Sequence, residues 1–194
     1  MLGAVLAPGY AGSAEQPILR AVAARLQERG IVAARISFSR SRPTGDYASE
    51  LEDVRRARDA LLGRGCDRVA LVGRSFGGRM CTLLAAEETP AALVLLGHPI
   101  SPPNRPRPRD EAALGAVRCP TLIVQGSRDT LGPLEVLRRI AASNGCIEVY
   151  VLDGVGHQFG RRQTEAVGVA AEWLAQAISP RVQGAEPLGI PHQD

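Results

Sequence analysis

The chain has 194 residues, 45% of them hydrophobic, enough for one domain with a substantial buried core and too few for a second catalytic domain. Its formal net charge is only +3, a balance that argues neither for nucleic acid nor for a membrane surface, so no partner of either kind is expected; all 23 basic residues are arginine. Cys66, Cys81, Cys119 and Cys146 lack Cys-x-x-Cys spacing, so neither a zinc site nor a disulfide framework is supported, and reduced, mostly buried thiols are expected.

The amino-terminal run from Met1 to Ala7 is too short for a signal peptide and has no charged start, and no apolar stretch approaches the roughly 20 residues that span a bilayer. A cytoplasmic location is expected. Short apolar runs then alternate with amphipathic stretches: strands are predicted over 2–7, 31–36, 68–72, 92–96, 121–124 and 147–152, and helices over 16–29, 47–62, 76–86, 133–142 and 163–177. In the second helix Leu51, Val54, Arg58 and Leu61 recur at helical spacing, with charges between them. Runs this short and this continuously apolar mark strands buried on both faces, so the class is α/β with a doubly wound, mostly parallel sheet. The stretch after residue 96 carries Pro99, Pro102, Pro103, Pro106 and Pro108 and shows no clear helix until about Asp110. One domain over 1–178 is expected, followed by a mobile tail over 179–194, which loses apolar periodicity.

At the junction of the third strand and third helix stands Gly73-Arg74-Ser75-Phe76-Gly77. A serine in that context is held above the end of a sheet, and the flanking glycines leave room for the tight turn. With 21 Gly and 10 Ser, about 0.1 such matches arise by chance, so the surroundings must carry the assignment. Ser143, also flanked by small residues, stands where Asn144 and Gly145 end a helix and is set aside.

A serine becomes a nucleophile beside a base, and the base needs an orienting carboxylate. His157 follows the sixth strand, in Asp153-Gly154-Val155-Gly156-His157-Gln158-Phe159. Asp129 follows the fifth, in Gln125-Gly126-Ser127-Arg128-Asp129. Asp153 competes for the acid's role from the same strand end as His157, while His192 lies in the tail. Nucleophile, acid and base thus run Ser75, Asp129, His157, each on the loop after a strand.

These features resemble the α/β-hydrolase superfamily, which carries its three groups in that order, and the resemblance extends from Leu2 to about Ala177. The segments Gly73-Arg74-Ser75-Phe76-Gly77-Gly78-Arg79-Met80 and Val124-Gln125-Gly126-Ser127-Arg128-Asp129, with the Gly97-His98-Pro99 turn, are similar to the dienelactone-hydrolase-like branch that includes the testis-expressed-thirty and non-specific-lethal-complex-subunit-three type domains. The resemblance implies a trimmed α/β-hydrolase fold of about six mostly parallel strands, helices on both faces and no large cap domain. The two strands that usually come before the one ending at the oxyanion loop are expected to be missing, and the reaction centre to be open.

Relatives usually begin the loop after that strand with His-Gly, whereas Ala7-Pro8-Gly9-Tyr10-Ala11-Gly12 puts Pro8 in the histidine's place. The chemistry required is a backbone N–H aimed at a developing oxyanion, which Tyr10 still offers. The second donor would be the Phe76 N–H, where unpaired amides and the helix dipole favour negative charge. Losing the histidine is expected to change how the loop is hydrogen-bonded.

His98, Arg74 beside the nucleophile, and Phe159 just beyond the base are candidate substrate contacts, His98 because ligands bind at strand carboxyl ends in open α/β sheets. A His98 satisfied within its own turn is the competing reading. Arg40, Arg42, Arg105, Arg107 and Arg109 share that edge, either as a solvated face or as an attraction for an anionic substrate or acidic partner. Cys81 reads as helix packing. The expected activity is hydrolysis of an ester-like bond, carboxylester or thioester, in a small-molecule substrate, with no metal or organic cofactor implied. Two other uses of such a domain stay open: a silent scaffold for protein interaction, and acyl transfer to an acceptor other than water.

Overall fold

The computed structural model describes residues 1–179. Strands β1 (Leu2–Ala7), β2 (Val32–Arg35), β3 (Arg68–Arg74), β4 (Leu93–Leu96), β5 (Thr121–Gly126) and β6 (Ile147–Leu152) form one sheet in the order β2-β1-β3-β4-β5-β6. Every pairing is parallel. Side chains alternate between two cores as the pleat requires. Ala4, Leu6, Ala70, Val72, Val94 and Leu96 join one core, which α1 (Pro17–Gln27) and α6 (Gln163–Ile178) cover. Val5, Ala7, Leu71, Leu93, Leu95 and Ile123 join the other, against α2 (Ala48–Gly63), α3 (Phe76–Glu87), α4 (Pro108–Ala116) and α5 (Leu134–Ala142). Strands with an apolar layer on both faces need unbroken hydrophobicity, which is why the runs read as they do.

From β1 the chain steps outward to β2, then returns to lay β3 on the other side of β1 and continues outward to β6. The winding reverses between β1 and β3, where the following loops diverge and open a crevice at the strand carboxyl ends. Because all strands are parallel, the six loops that follow them share this edge. Among the described residues Ala11, Tyr47, Ser75 and Phe159 are the non-glycines with positive φ, at 54°, 64°, 50° and 59°, and each lies in one of these loops. On the opposite edge the positive-φ positions are Gly30 and Gly65.

The parallel six-stranded sheet with helices on both faces expected from the sequence is the one observed, with no cap domain among the described residues and with differences at element ends. β3 and β5 each continue two residues past their expected limits because their neighbours pair that far, Arg74 with Leu96 and Gly126 with Leu152. α4 starts at Pro108, where no clear helix was expected before about Asp110. Proline in the first turn forfeits no hydrogen bond, and Asp110 and Glu111 in that turn suit the helix dipole. The expected tail lies outside the described residues, apart from Ser179. Among the described residues no helix is long and apolar enough to cross a membrane.

Candidate active site

β3 ends at Arg74 and α3 begins at Phe76, so one residue, Ser75, makes the whole turn, with φ 50° and ψ −112°. Side-chain-bearing residues persist in such a region only when their surroundings over-determine it. Here the Ser75 amide donates to the Leu96 carbonyl at 3.1 Å, and the Ser75 carbonyl accepts from the Arg79 amide at 3.2 Å. Both glycines of the motif are sterically required. A Cβ on Gly73 would collide with the Gly78 backbone, and one on Gly77 with the carbonyl oxygens of Ala7 and Pro8. The loop after β1 therefore rests directly on the turn.

His157 reaches Ser75 from the loop after β6, its Nε2 lying 2.8 Å from Ser75 Oγ. On the other side of the ring, Nδ1 lies 2.7 Å from Asp129 Oδ2, on the loop after β5. The carboxylate is held from three directions, because Oδ2 also accepts from Gln125 Nε2 at 2.8 Å and Oδ1 from the Leu131 amide at 2.9 Å. Its side chain is fully buried, whereas that of His157 keeps 16% of its surface exposed. A buried carboxylate against the ring can fix its orientation and stabilise a positive charge on it with little screening by solvent.

Tyr10 stands next to this line, its ring 6.3 Å from the Phe76 ring in an edge-on arrangement. Gly9 donates its amide to Gln16 Oε1 at 3.0 Å, and Gly12 donates to the Gly9 carbonyl at 2.9 Å. Among the described residues the amides of Tyr10 and Phe76 have no acceptor. In this loop, where Pro8 stands in the histidine's place, the Gln16 side chain holds the Gly9 amide. Gln16 and Gln125 were both missed in the sequence, where a lone glutamine beside a helix start or in a strand carries no periodic signal. Phe76 also meets Phe38 at 5.4 Å and Tyr47 at 6.0 Å. Four of the chain's seven aromatic residues (three Phe, three Tyr, one Trp) therefore gather beside Ser75.

The three candidate substrate contacts are all buried, which corrects that expectation. Arg74 is 3%, His98 0% and Phe159 1% exposed. The Arg74 guanidinium turns inward, donating to Leu96 O at 3.1 Å, His157 O at 2.8 Å and Gln158 Oε1 at 3.1 Å, over the Phe159 ring. Burial pushes it down to about 10, with Asp129 pulling the other way, so it stays charged near neutral pH. His98 packs against the start of α3, and neither ring nitrogen finds a partner among the described residues. The competing reading of a turn-satisfied imidazole fails too, although the backbone amide of His98 does donate to Gln125 Oε1. Burial first, then Arg79 and Arg107, push the His98 ring down to about 3.

Asp153 stays outside the line, accepting from the Ser127 hydroxyl at 2.9 Å. Burial pushes the Cys81 thiol up to about 12, which suits packing rather than nucleophilic chemistry. Arg40, Arg42, Arg105 and Arg109 are exposed, Arg109 lying over the Tyr47 ring, while Arg107 is half-buried and donates to the Pro99 carbonyl. Among the described residues no group of three or more His, Cys, Asp and Glu is arranged to hold a metal ion.

A family model described as an alpha/beta hydrolase domain matches residues 3–183. No curated protein is detectably similar in sequence. Among solved structures, an alpha-beta serine hydrolase homologue from Coxiella burnetii is 22% identical with a TM-score of 0.76, over 89% of this chain and 85% of that one. The esterase Pf2001 of Pyrococcus furiosus is 16% identical, TM-score 0.76, over 92% and 84%. Est1E from Butyrivibrio proteoclasticus with ferulic acid bound is 17% identical, TM-score 0.73, over 92% and 90%. At these identities the likeness is one of fold.

Proposed function

We propose, starting from the fact that the chain belongs to the alpha/beta hydrolase domain family, that it is a serine hydrolase cleaving a carboxylester or thioester bond in a small substrate. The observation that carries this reading is the line from Ser75 Oγ to His157 Nε2 at 2.8 Å and from His157 Nδ1 to Asp129 Oδ2 at 2.7 Å. Ser75 Oγ attacks the substrate carbonyl carbon while its proton passes to Nε2, and Asp129 stabilises the resulting imidazolium. The Tyr10 and Phe76 amides stabilise the oxyanion. As the intermediate collapses, the bond to the leaving oxygen or sulfur breaks, and Nε2 returns the proton to that atom. Water, deprotonated by the same nitrogen, then attacks the acyl-enzyme and releases the acid and free Ser75.

The aromatic group around Phe76 supports a planar or aromatic group on one side of the scissile bond, as does the ferulic acid bound by Est1E. Within the family, the segments 73–80 and 124–129 support the dienelactone-hydrolase-like branch. The test is a fluorophosphonate probe, which needs an activated hydroxyl and a working oxyanion site but no knowledge of the natural substrate. A single adduct on Ser75, absent from Ser75→Ala, together with turnover of p-nitrophenyl acetate, is the expected result. Well-folded protein that takes up no label and turns over no ester would refute the reading in favour of a scaffold.

A further inference from the structure

We propose that Arg74 is a positioning residue for His157, one that sets the tautomer of the imidazole and ties the loop bearing it to the nucleophile's strand. The inference rests on the serine-hydrolase reading of Ser75, His157 and Asp129. Arg74 is the last residue of β3, so its backbone leads straight into the turn at Ser75. Its guanidinium occupies a built recess. Leu96 O closes one side, His157 O and Gln158 Oε1 another, and the Phe159 ring lies 5.5 Å beneath. Gly97, at φ 63°, passes so near that a Cβ there would stand 2.7 Å from Nη1.

Among the described residues no carboxylate lies within ion-pair distance of this guanidinium, and both oxygens of Asp129 are taken by Gln125, His157 and Leu131. A buried cation without a counter-ion is a poor way to stabilise a fold, and an apolar side chain would fill the space better. What the guanidinium supplies is directed N–H groups, three of which meet atoms of the loop that carries His157. One of them, on Nη1, lies 3.3 Å from His157 Nε2.

That contact has a chemical consequence. Guanidinium carries donors and no acceptor, so a nitrogen facing it at hydrogen-bond distance must present its lone pair. The proton of the neutral ring is then on Nδ1, directed at Asp129 Oδ2. Asp129 and Arg74 thus specify the same tautomer from opposite sides, one by accepting and one by donating, and the single lone pair of Nε2 is shared between the Ser75 hydroxyl at 2.8 Å and the longer Arg74 contact at 3.3 Å.

The experiment combines His157 imidazole ¹⁵N NMR with kinetics on p-nitrophenyl acetate for the wild type, Arg74→Met, Arg74→Lys and Arg74→Gly. The wild type should show Nδ1–H as the dominant neutral form; a dominant Nε2–H form would overturn the proposal without any variant. In folded Arg74→Met an Nε2–H population should appear and kcat should drop about 10²-fold with KM little changed, the pattern of a misplaced group rather than lost binding. Arg74→Lys, retaining one directed donor, should recover part of both. Guanidinium added at non-denaturing concentration should raise kcat of Arg74→Gly and leave Arg74→Met unaffected. A folded Arg74→Met with wild-type tautomer and kcat would refute the role. Because the tautomer is read without turnover, an inert Ser75 would count against the hydrolase reading and not against this one.

Discussion

Replacing His98 by leucine should make the protein less sensitive to acid. The ring is fully buried and its two nitrogens lack partners, so the folded state holds it neutral, down to about 3 from an ordinary 6.5. The unfolded chain binds the proton first, so the contribution of His98 to stability is fully present above pH 6.5 and declines as pH falls toward 3. Each pH unit well below 6.5 removes about 1.4 kcal/mol, so His98 alone accounts for a loss of about 2 kcal/mol between pH 7.5 and 5.0. Urea unfolding of wild type and His98→Leu at pH 7.5, 6.0 and 5.0 measures it, since groups common to both proteins cancel in the difference. The gap should widen in the variant's favour by about 2 kcal/mol toward the acid end. At pH 7.5 His98→Leu should already match or exceed the wild type, because removing unpaired buried polar atoms relieves a desolvation cost of about 1–3 kcal/mol. Stability curves that run parallel across this range would refute the burial argument.

Asp129→Asn should lower kcat for p-nitrophenyl acetate on the order of 10⁴-fold, as loss of the orienting carboxylate does in the serine-protease template, whereas Asp153→Asn, whose carboxylate holds only Ser127 and lies outside the line, should change it less than about threefold. A larger defect from Asp153→Asn would reverse the assignment of the acid. Tyr10→Ala should keep most activity because the proposed donor is the main-chain amide, while Tyr10→Pro, which removes that amide, should cost on the order of 10²-fold in kcat. Equal losses in the two variants would transfer the role from the amide to the exposed ring.

The sheet and the line through Ser75 were legible because both write themselves into local pattern. An all-parallel sheet demands unbroken apolar runs, and a one-residue turn demands glycine at 73 and 77. Arg74, His98 and Phe159 were placed on the correct edge but misread as ligand contacts. Their position on a strand end tells which edge they occupy; whether a side chain then turns toward solvent or folds under the turn depends on partners distant in sequence, such as Gln158 for Arg74. Gln16 and Gln125 went unnoticed because their roles lie in loop conformation: Gln16 Oε1 accepts from the Gly9 amide, while Gln125 accepts from the His98 amide and donates to Asp129 and the Gly132 carbonyl. α4 was obscured by Pro108 and the four prolines that precede it, which signal a loop until the first-turn position of Pro108 is known.

The uneven placement of positive φ has a bearing on how this protein can change over generations. Ala11, Tyr47, Ser75 and Phe159 hold side chains where glycine would rest more easily, and all four crowd the edge that carries the reactive groups. Each such conformation costs on the order of 1–3 kcal/mol. The amino edge, where Gly30 and Gly65 take the same conformation freely, is relaxed by comparison. A library selected for heat resistance should therefore enrich glycine at Ala11, whereas Tyr47, whose ring packs on Phe76 and whose hydroxyl accepts from Arg79, should keep its side chain and bear the strain.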